Sequence, residues 1–438
     1  MNIDKYIKNV MMKYEMDIRT IIFYILGVFT TIQLFSIAGV TMFNLALMFT
    51  VAIFIVTMII DIKNSKITNL LNNINIDKYF IVSFITTLMT ALLSIINKSL
   101  SKEFKKASLI GGIIYLLILI IYYIMNFEYS YAEKLIEGFE ISCKITLIWC
   151  VLQLVLFYLL KIDVNDLFFG KILGIPNATG DYYNGSLIPS GFYSHRAILM
   201  PSLFYLFFSA SNIYICVLIL LIGCLTRSTA IILGLLMALL ARMVISIFKI
   251  KNNKVSKKKI INIIIIVIVG IIFVLIFKAK FIEMINYIWT RITDVTSNKA
   301  DNSSVVHMLY YKSFGEIFKN LNFLNVLFGT GFGTSGQHYT WYNGQYANLG
   351  AWVVESDYIN IFLNQGFIGL LLWIYIFVDL IIISIKYKYW ENIAFVLIIV
   401  CIGVMYNIQF SWFIIVELAM WVLTKNQIRI FNVSDFTE

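Results

Sequence analysis

Charge is scarce in this chain: 13% of its 438 residues are Asp, Glu, Lys or Arg, and 60% belong to the hydrophobic class. An ordinary soluble domain is about a quarter charged and under half apolar. Burying this much apolar surface would take a core larger than one domain grows before it splits. Proline and glycine are also few, 3 and 23, which excludes collagen and gives no sign of linkers between domains. So apolar a composition excludes a disordered chain as well. The 5 cysteines, Cys143, Cys150, Cys216, Cys224 and Cys401, sit in or beside apolar runs, so a secreted disulfide scaffold and a CxxC zinc site are both unsupported. HExxH, EF-hand and Cys–His clusters are missing, and neither a dedicated metal site nor a cofactor is expected. No small-residue cleavage pattern follows the first apolar run, which reads as a retained anchor rather than a signal peptide.

What fills the chain is a succession of apolar stretches near the roughly 20 residues that cross a bilayer core. They predict an all-α, polytopic membrane protein of about twelve transmembrane helices. The stretches lie near residues 18–37, 40–60, 79–96, 107–126, 141–160, 197–210, 212–225, 228–248, 260–278, 366–385, 392–406 and 408–424. The sixth and seventh are short, separated only by Ser211 and Asn212, and also fit one bent or re-entrant element. The whole of 1–438 reads as a single integral membrane domain with two long polar segments, 161–196 and 279–358.

The excess of 34 Lys+Arg over 24 Asp+Glu, net +10, would suggest nucleic acid in a soluble chain. Here its placement points to the membrane instead. Lys249, Lys251, Lys254, Lys257, Lys258 and Lys259 lie between two apolar runs, and Lys5, Lys8, Lys13 and Arg19 precede the first. Both groups read as cytoplasmic anchors under the positive-inside rule, which puts both termini inside and the two long polar segments outside. One region runs against the rule: Lys98, Lys102, Lys105 and Lys106 would lie outside, and Glu128, Glu133, Glu137 and Glu140 inside. Segment 279–358, between spans nine and ten, far exceeds the roughly 12 to 15 residues of a simple connector. Rich in aromatics, it is expected to fold, in part as helix, and to carry the chemistry. The 3 histidines, His195, His307 and His338, all fall in the two outside segments.

Several side chains stand out, each with two readings. Gly331-Phe-Gly-Thr-Ser-Gly336 matches GxGxxG literally, but that fingerprint needs a βαβ unit around it. A glycine turn whose backbone approaches a ligand or another helix fits better. Arg227 interrupts an apolar stretch at the expected outer end of a helix, where a charge is usually functional or anchored in the interface. Arg196 and Arg291 lie at similar depth. The three guanidinium groups would form a phosphate clamp or each meet a lipid headgroup. Glu355 and Asp357 open the tenth apolar run, either as helix-capping acids or as catalytic groups. Asp357, Asn360 and Asn364 share one helix face by their spacing, and Glu355 points elsewhere.

Taken in order, several segments resemble the O-antigen polymerase and O-antigen ligase superfamily, membrane glycosyltransferases of the Wzy type. They are Thr226-Arg227-Ser228 before an apolar helix, Asp301-Asn302-Ser303-Ser304, Leu327-Phe328-Gly329-Thr330-Gly331-Phe332-Gly333, and the run Glu355-Ser-Asp-Tyr-Ile-Asn-Ile-Phe-Leu-Asn-Gln-Gly366-Phe-Ile-Gly369. The resemblance implies a GT-C-like arrangement in the bacterial cytoplasmic membrane. It also implies a polymerase that transfers a polyprenyl-diphosphate-linked glycan onto the next lipid-linked repeat at the outer face. Implied binding partners are that lipid-linked oligosaccharide, membrane lipid, a chain-length regulator and a flippase; nucleic acid is not expected. Carried onto this sequence, Arg196, Arg227, Arg291 and His307 would hold the diphosphate. Glu355, with His338 behind it, would act as base, and Tyr339, Trp341, Tyr342, Trp352 and Asp357 would meet sugar. Two positions depart from the pattern. The ligase branch typically has His where Glu355 stands, and His307 occupies a place that often holds Arg. Besides the ligase, the contrasting class is a transporter such as a flippase, in which internal repeats are common; none is evident here.

Overall fold

The computed structural model describes residues 18–37, 40–63, 77–98, 100–175, 180–183, 186–193, 196–226, 228–252, 311, 313–342, 354, 356–404, 406 and 411–431. The helices are α1 (Ile18–Phe29), α2 (Met42–Lys63), α3 (Lys78–Ile96), α4 (Lys102–Phe127), α5 (Tyr129–Leu160), α6 (Met200–Ser209), α7 (Ile213–Leu225) and α8 (Thr229–Asn252). They continue with α9 (Phe323–Phe328), α10 (Ser335–Tyr342), α11 (Asp357–Tyr387), α12 (Trp390–Gly403) and α13 (Ser411–Lys425). Residues 313–320 are also helical. Two small antiparallel hairpins, Ser36–Ile37 with Val40–Thr41 and Asp181–Tyr183 with Ser186–Ile188, are the strands among the described residues. Helices overlie every expected apolar stretch except 260–278, which lies outside the described residues. Among the described residues five are long and apolar enough to cross a membrane: α2, α3, α4, α5 and α11.

The distribution of polarity on α3 is that of a protein dissolved in lipid. Its buried face carries Tyr79, Ser83, Thr86, Thr87, Thr90 and Ser94, whereas Ile81, Val82, Ile85, Leu88, Leu92, Ile95 and Ile96 are exposed. In water that orientation would be inverted. In a bilayer, apolar side chains gain nothing by facing inward, and small hydroxyl residues let helices approach and hydrogen-bond.

Three boundaries differ most from those expected, each for a local reason. α1 stops at Phe29 rather than near 37. There the Thr30 hydroxyl donates to the Gly27 carbonyl at 2.6 Å, and Thr31 is tied to Ser142 and Thr146 of α5 at 2.5 and 2.8 Å. α5 begins at Tyr129 rather than near 141. The charges that masked its first turns pair along the surface, Lys134 with Glu137 at 2.7 Å and Lys144 with Glu140 at 2.6 Å, the spacing a helix favours. α11 begins at Asp357 rather than 366 and is broken in its interior at Gly366.

α1 and α5 touch backbone to backbone. A Cβ on Gly27 would fall 2.1 Å from the Leu135 carbonyl oxygen, and one on Gly138 would fall 2.1 Å from that of Tyr24. Elsewhere, the buried Arg242 of α8 gives the short helix α6 its end. Its guanidinium donates to the carbonyls of Phe207 and Ala210, both at 2.5 Å, and approaches Cys216 Sγ at 3.1 Å. The orphan carbonyls of a helix C-terminus thus receive the charge.

The ends of α3 are roughly 28 Å apart at 1.5 Å per residue. At one end Asp77 accepts from Tyr122 at 2.5 Å and lies 3.4 Å from Lys425 of α13. The other end, near Ser94, meets the turn that follows α9.

Gly138→Ala should destabilise the protein in detergent by about 1–3 kcal/mol, since the added carbon must push two backbones apart. Gly315→Ala, in a helix with open space around it, should be neutral or stabilising by up to about 1 kcal/mol. Paired thermal unfolding curves check both; equal midpoints for the two variants would contradict the packing argument.

Candidate functional site

The site is built around the interruption of α11. Gly366 has φ 72° and ψ −170°, a left-handed conformation that only glycine adopts without strain. It stops the regular hydrogen-bond ladder and leaves the carbonyls of Leu363 and Asn364 without helical donors. In an apolar surrounding such groups must find partners. The turn Gly329–Thr334 supplies them: Thr330 N donates to Leu363 O at 2.8 Å, and Gly331 N donates to Asn364 O at 3.2 Å. The approach is reciprocal. A Cβ on Gly329 would lie 2.3 Å from the Asn364 carbonyl, and a Cβ on Gly366 would lie 2.3 Å from that of Leu327.

The same turn is keyed into α3 and α4. Thr90 of α3 donates to the Phe328 carbonyl at 2.6 Å. Gly331 sits against Ser94 and Ser108, Phe332 presses on Gly111 and Gly112, and its ring lies 5.4 Å from that of Tyr115. The literal GxGxxG is therefore a helix-packing turn, as the sequence suggested, with no βαβ unit among the described residues.

Beyond the turn the chain enters α10, whose first amides are held from outside. Asn364 Oδ1 accepts from Thr334 N at 3.0 Å and Ser335 N at 2.9 Å. Its Nδ2 donates to Asn360 Oδ1 at 2.9 Å, and Ser335 Oγ donates to the same oxygen at 2.5 Å. Thr330 Oγ1 joins Thr334 Oγ1 at 2.8 Å, His338 Nε2 at 2.8 Å and the Leu363 carbonyl at 2.9 Å. The Leu363 oxygen can only accept. When the Thr330 hydroxyl donates to it, the imidazole Nε2 is the donor, which leaves no lone pair on that nitrogen. Burial also pulls the His338 pKa down to about 4, so the ring is neutral and weakly basic at pH 7.

An apolar layer supports the first half of α11. Ile317, Val354, Ile359, Phe362 and Leu363 are buried together, with Phe314 and Phe318 5.4 and 5.8 Å from the Phe362 ring. Tyr311 joins this half to α12, bonding Ser356 at 3.0 Å and donating to the Val404 carbonyl.

Of the residues singled out in the sequence, the structure brings together His338, Asn360 and Asn364. Asp357 is fully buried in the first turn of α11, where a Cβ on Gly403 would lie 2.7 Å from Asp357 Oδ2. Tyr339, Trp341 and Tyr342 ride on α10, and Arg196 opens a 3₁₀ turn leading into α6; for these four only the backbone is described. Arg227, Arg291, His307, Trp352 and Glu355 lie outside the described residues. Sequence reasoning did not single out Thr90, Thr330, Thr334 or Ser335, nor Arg242. The usable signal was the pair Asn360 and Asn364 at i,i+4 in an apolar run with glycine two residues later.

Residues 214–374 match the family model described as O-antigen ligase. This stretch belongs to the O-antigen polymerase and ligase superfamily. The matched segment runs from α7 through the glycine turn to the middle of α11, so it contains Thr330, Thr334, Ser335, His338, Asn360 and Asn364 but not the contacts that α3 and α4 make with the turn. It also contains the sequence positions of Arg227, Arg291, His307 and Glu355. No curated protein matches the chain.

The His338 pKa sets a pH dependence with a definite sign. An unfolded histidine titrates near 6.5 and the folded one near 4, so between these values the unfolded state binds more protons and stability falls on acidification. The stabilisation is complete above pH 6.5. Unfolding midpoints in detergent should drop between pH 6.5 and 4, and His338→Gln should flatten that slope; an unchanged slope in the variant would assign the effect elsewhere.

Proposed function

We propose that the protein is a membrane glycosyltransferase that polymerises surface polysaccharide. In this reading it moves a glycan from a polyprenyl diphosphate onto a hydroxyl of the next lipid-linked repeat at the outer face of the cytoplasmic membrane. The observation that carries this reading is the O-antigen ligase family match over 214–374, the stretch that contains the Arg227, Arg291, glycine-turn and Glu355 positions. A multi-pass bundle with lipid-facing apolar stripes suits a substrate whose carrier is itself a lipid.

The chemistry asks for little beyond charge placement and one base. The acceptor hydroxyl gives its proton to Glu355 while its oxygen forms the new bond to the anomeric carbon. The bond from that carbon to the diphosphate oxygen breaks, and the electron pair leaves with the diphosphate. Negative charge growing on that leaving group is what Arg196, Arg227 and Arg291 would stabilise, with His307 as a further contact, guanidinium matching phosphate in a bidentate manner. Glu355 is the first choice for the base role, with His338 behind it, because His338 Nε2 is already engaged by the Thr330 hydroxyl. The aromatic residues of α10 and Trp352 would stack on sugar rings, and Asp357, at the start of α11, is the further sugar contact that the resemblance implies. A chain-length regulator and a flippase would act with such an enzyme.

The family description itself favours a second reading, ligation of the glycan to a lipid-A core acceptor. A disruptant separates the two readings. Loss of long chains with single repeats still attached to the surface acceptor indicates polymerase; loss of all attachment indicates ligase. In the same assay Arg227→Ala should lower polymer at least about 100-fold while the protein stays in the membrane, the scale of losing a transition-state charge contact. Glu355→Gln should reduce it comparably. Wild-type chain lengths in Arg227→Ala would remove the diphosphate clamp, and near-normal activity in Glu355→Gln would remove the base.

A further inference from the structure

The short helix α10 has 8 residues, too few to be stable in isolation, and its opening amides need acceptors. The residue before it is Thr334, whose hydroxyl donates to the Gly331 carbonyl at 2.6 Å. The acceptor comes from α11, where Asn364 Oδ1 takes the amides of Thr334 and Ser335. The orientation of the Asn364 amide is fixed because its nitrogen donates to Asn360 Oδ1, which Ser335 Oγ also uses. Both asparagines are buried, where an acceptor in the wrong place is not replaced by water.

We propose that Asn364 is a positioning residue: it caps α10 from across the break in α11, so that the helix bearing Tyr339, Trp341 and Tyr342 is held in one geometry relative to the first half of α11. This rests on the glycosyl-transfer reading insofar as α10 meets sugar. The interaction that matters is acceptance by the side-chain oxygen, and that distinguishes the proposal from a space-filling role. Asn364→Asp keeps an acceptor for both amides, and the Asn360 amide can turn to donate to it. Asn364→Leu keeps the volume and loses the acceptor.

The test uses the full chain in membranes of a disruptant strain, with two readouts. The first is polymer formation. Asn364→Leu should lower it about 10- to 100-fold, the scale of a misplaced binding element, and Asn364→Asp should stay within about threefold of wild type. Where Asn364→Leu does not accumulate, Asn364→Ser takes its place, since serine is polar yet too short to reach both amides. The second readout needs no activity. A cysteine introduced by Tyr339→Cys is labelled with a membrane-impermeant maleimide, over the background of the native cysteines. Its labelling rate should change at least about threefold in the Leu or Ser background, as α10 loosens, and not in the Asp background.

Wild-type polymer in Asn364→Leu overturns the proposal, and so does an Asp variant as inactive as the Leu one. If wild type itself makes neither polymer nor ligated product, the transfer reading fails. The labelling rates then decide the positioning role alone: equal rates in all backgrounds overturn it, and a change confined to Leu or Ser upholds it.

Discussion

A helix that crosses lipid cannot leave its carbonyls bare, and the break of α11 at Gly366 creates that situation. The carbonyls of Leu363 and Asn364 are met by the amides of Thr330 and Gly331, and from this exchange the rest of the site follows. The amide donors are backbone groups brought within hydrogen-bond range of another backbone, so the donating segment is a turn with glycine at the closest approach, and the Thr330 hydroxyl adds a second bond to Leu363. Gly329 and Gly366 remove the two Cβ atoms that would prevent it. Once the turn is seated, the helix after it can begin only beside α11, and Asn364 is the side chain within reach of its first amides.

Seating the turn in this way depends on the inverted polarity of the bundle. A soluble protein would present Leu or Ile from α3 and α4 at this point. Here Thr90, Ser94, Ser108, Gly111 and Gly112 face inward, and their small size makes room for Gly331 and Phe332. The Thr90 hydroxyl then takes the Phe328 carbonyl, which also lacks a helical donor so near the end of α9. Outward-facing isoleucines and leucines on α3 lose nothing by this arrangement, because lipid is as apolar as a protein core.

How much of this was legible in the sequence follows from the range of the interactions involved. The helical stretches within the described residues were, since composition over some twenty residues is a local property and lipid exposure keeps it uniform. The start of α5 was not, because Glu133, Lys134, Glu137 and Glu140 look like a loop unless their i,i+3 and i,i+4 pairing is weighed above their charge. The early start of α11 was hidden in the same way by Asp357, Asn360 and Asn364, three polar residues in its first turns. The glycine turn was correctly separated from a nucleotide fingerprint, yet its partners on α3 and α4 stand more than 200 residues away in sequence, and nothing local names them. Arg242 escaped notice because its value lies in the carbonyls of Phe207 and Ala210, and those belong to a different helix.

The contrast between Arg242 and the network at Gly366 bears on how such a protein divides its labour. Arg242 is buried in an apolar helix, where an arginine is by default a functional suspect, but its donors are directed at a helix end and serve the fold. The network contains no ionised group at pH 7, its histidine being held neutral by burial. A neutral lattice of this kind can orient the pieces of a site, but in the proposed reaction it could not by itself balance the charge on a departing diphosphate. Charge and orientation would therefore come from different segments: guanidinium groups at other positions in the chain and a rigid, uncharged frame at the helix break. Such a separation has a physical advantage in a membrane, because a frame without ions can be buried against lipid-facing helices at little desolvation cost, which leaves the expensive charges for the place where the substrate brings the opposite sign.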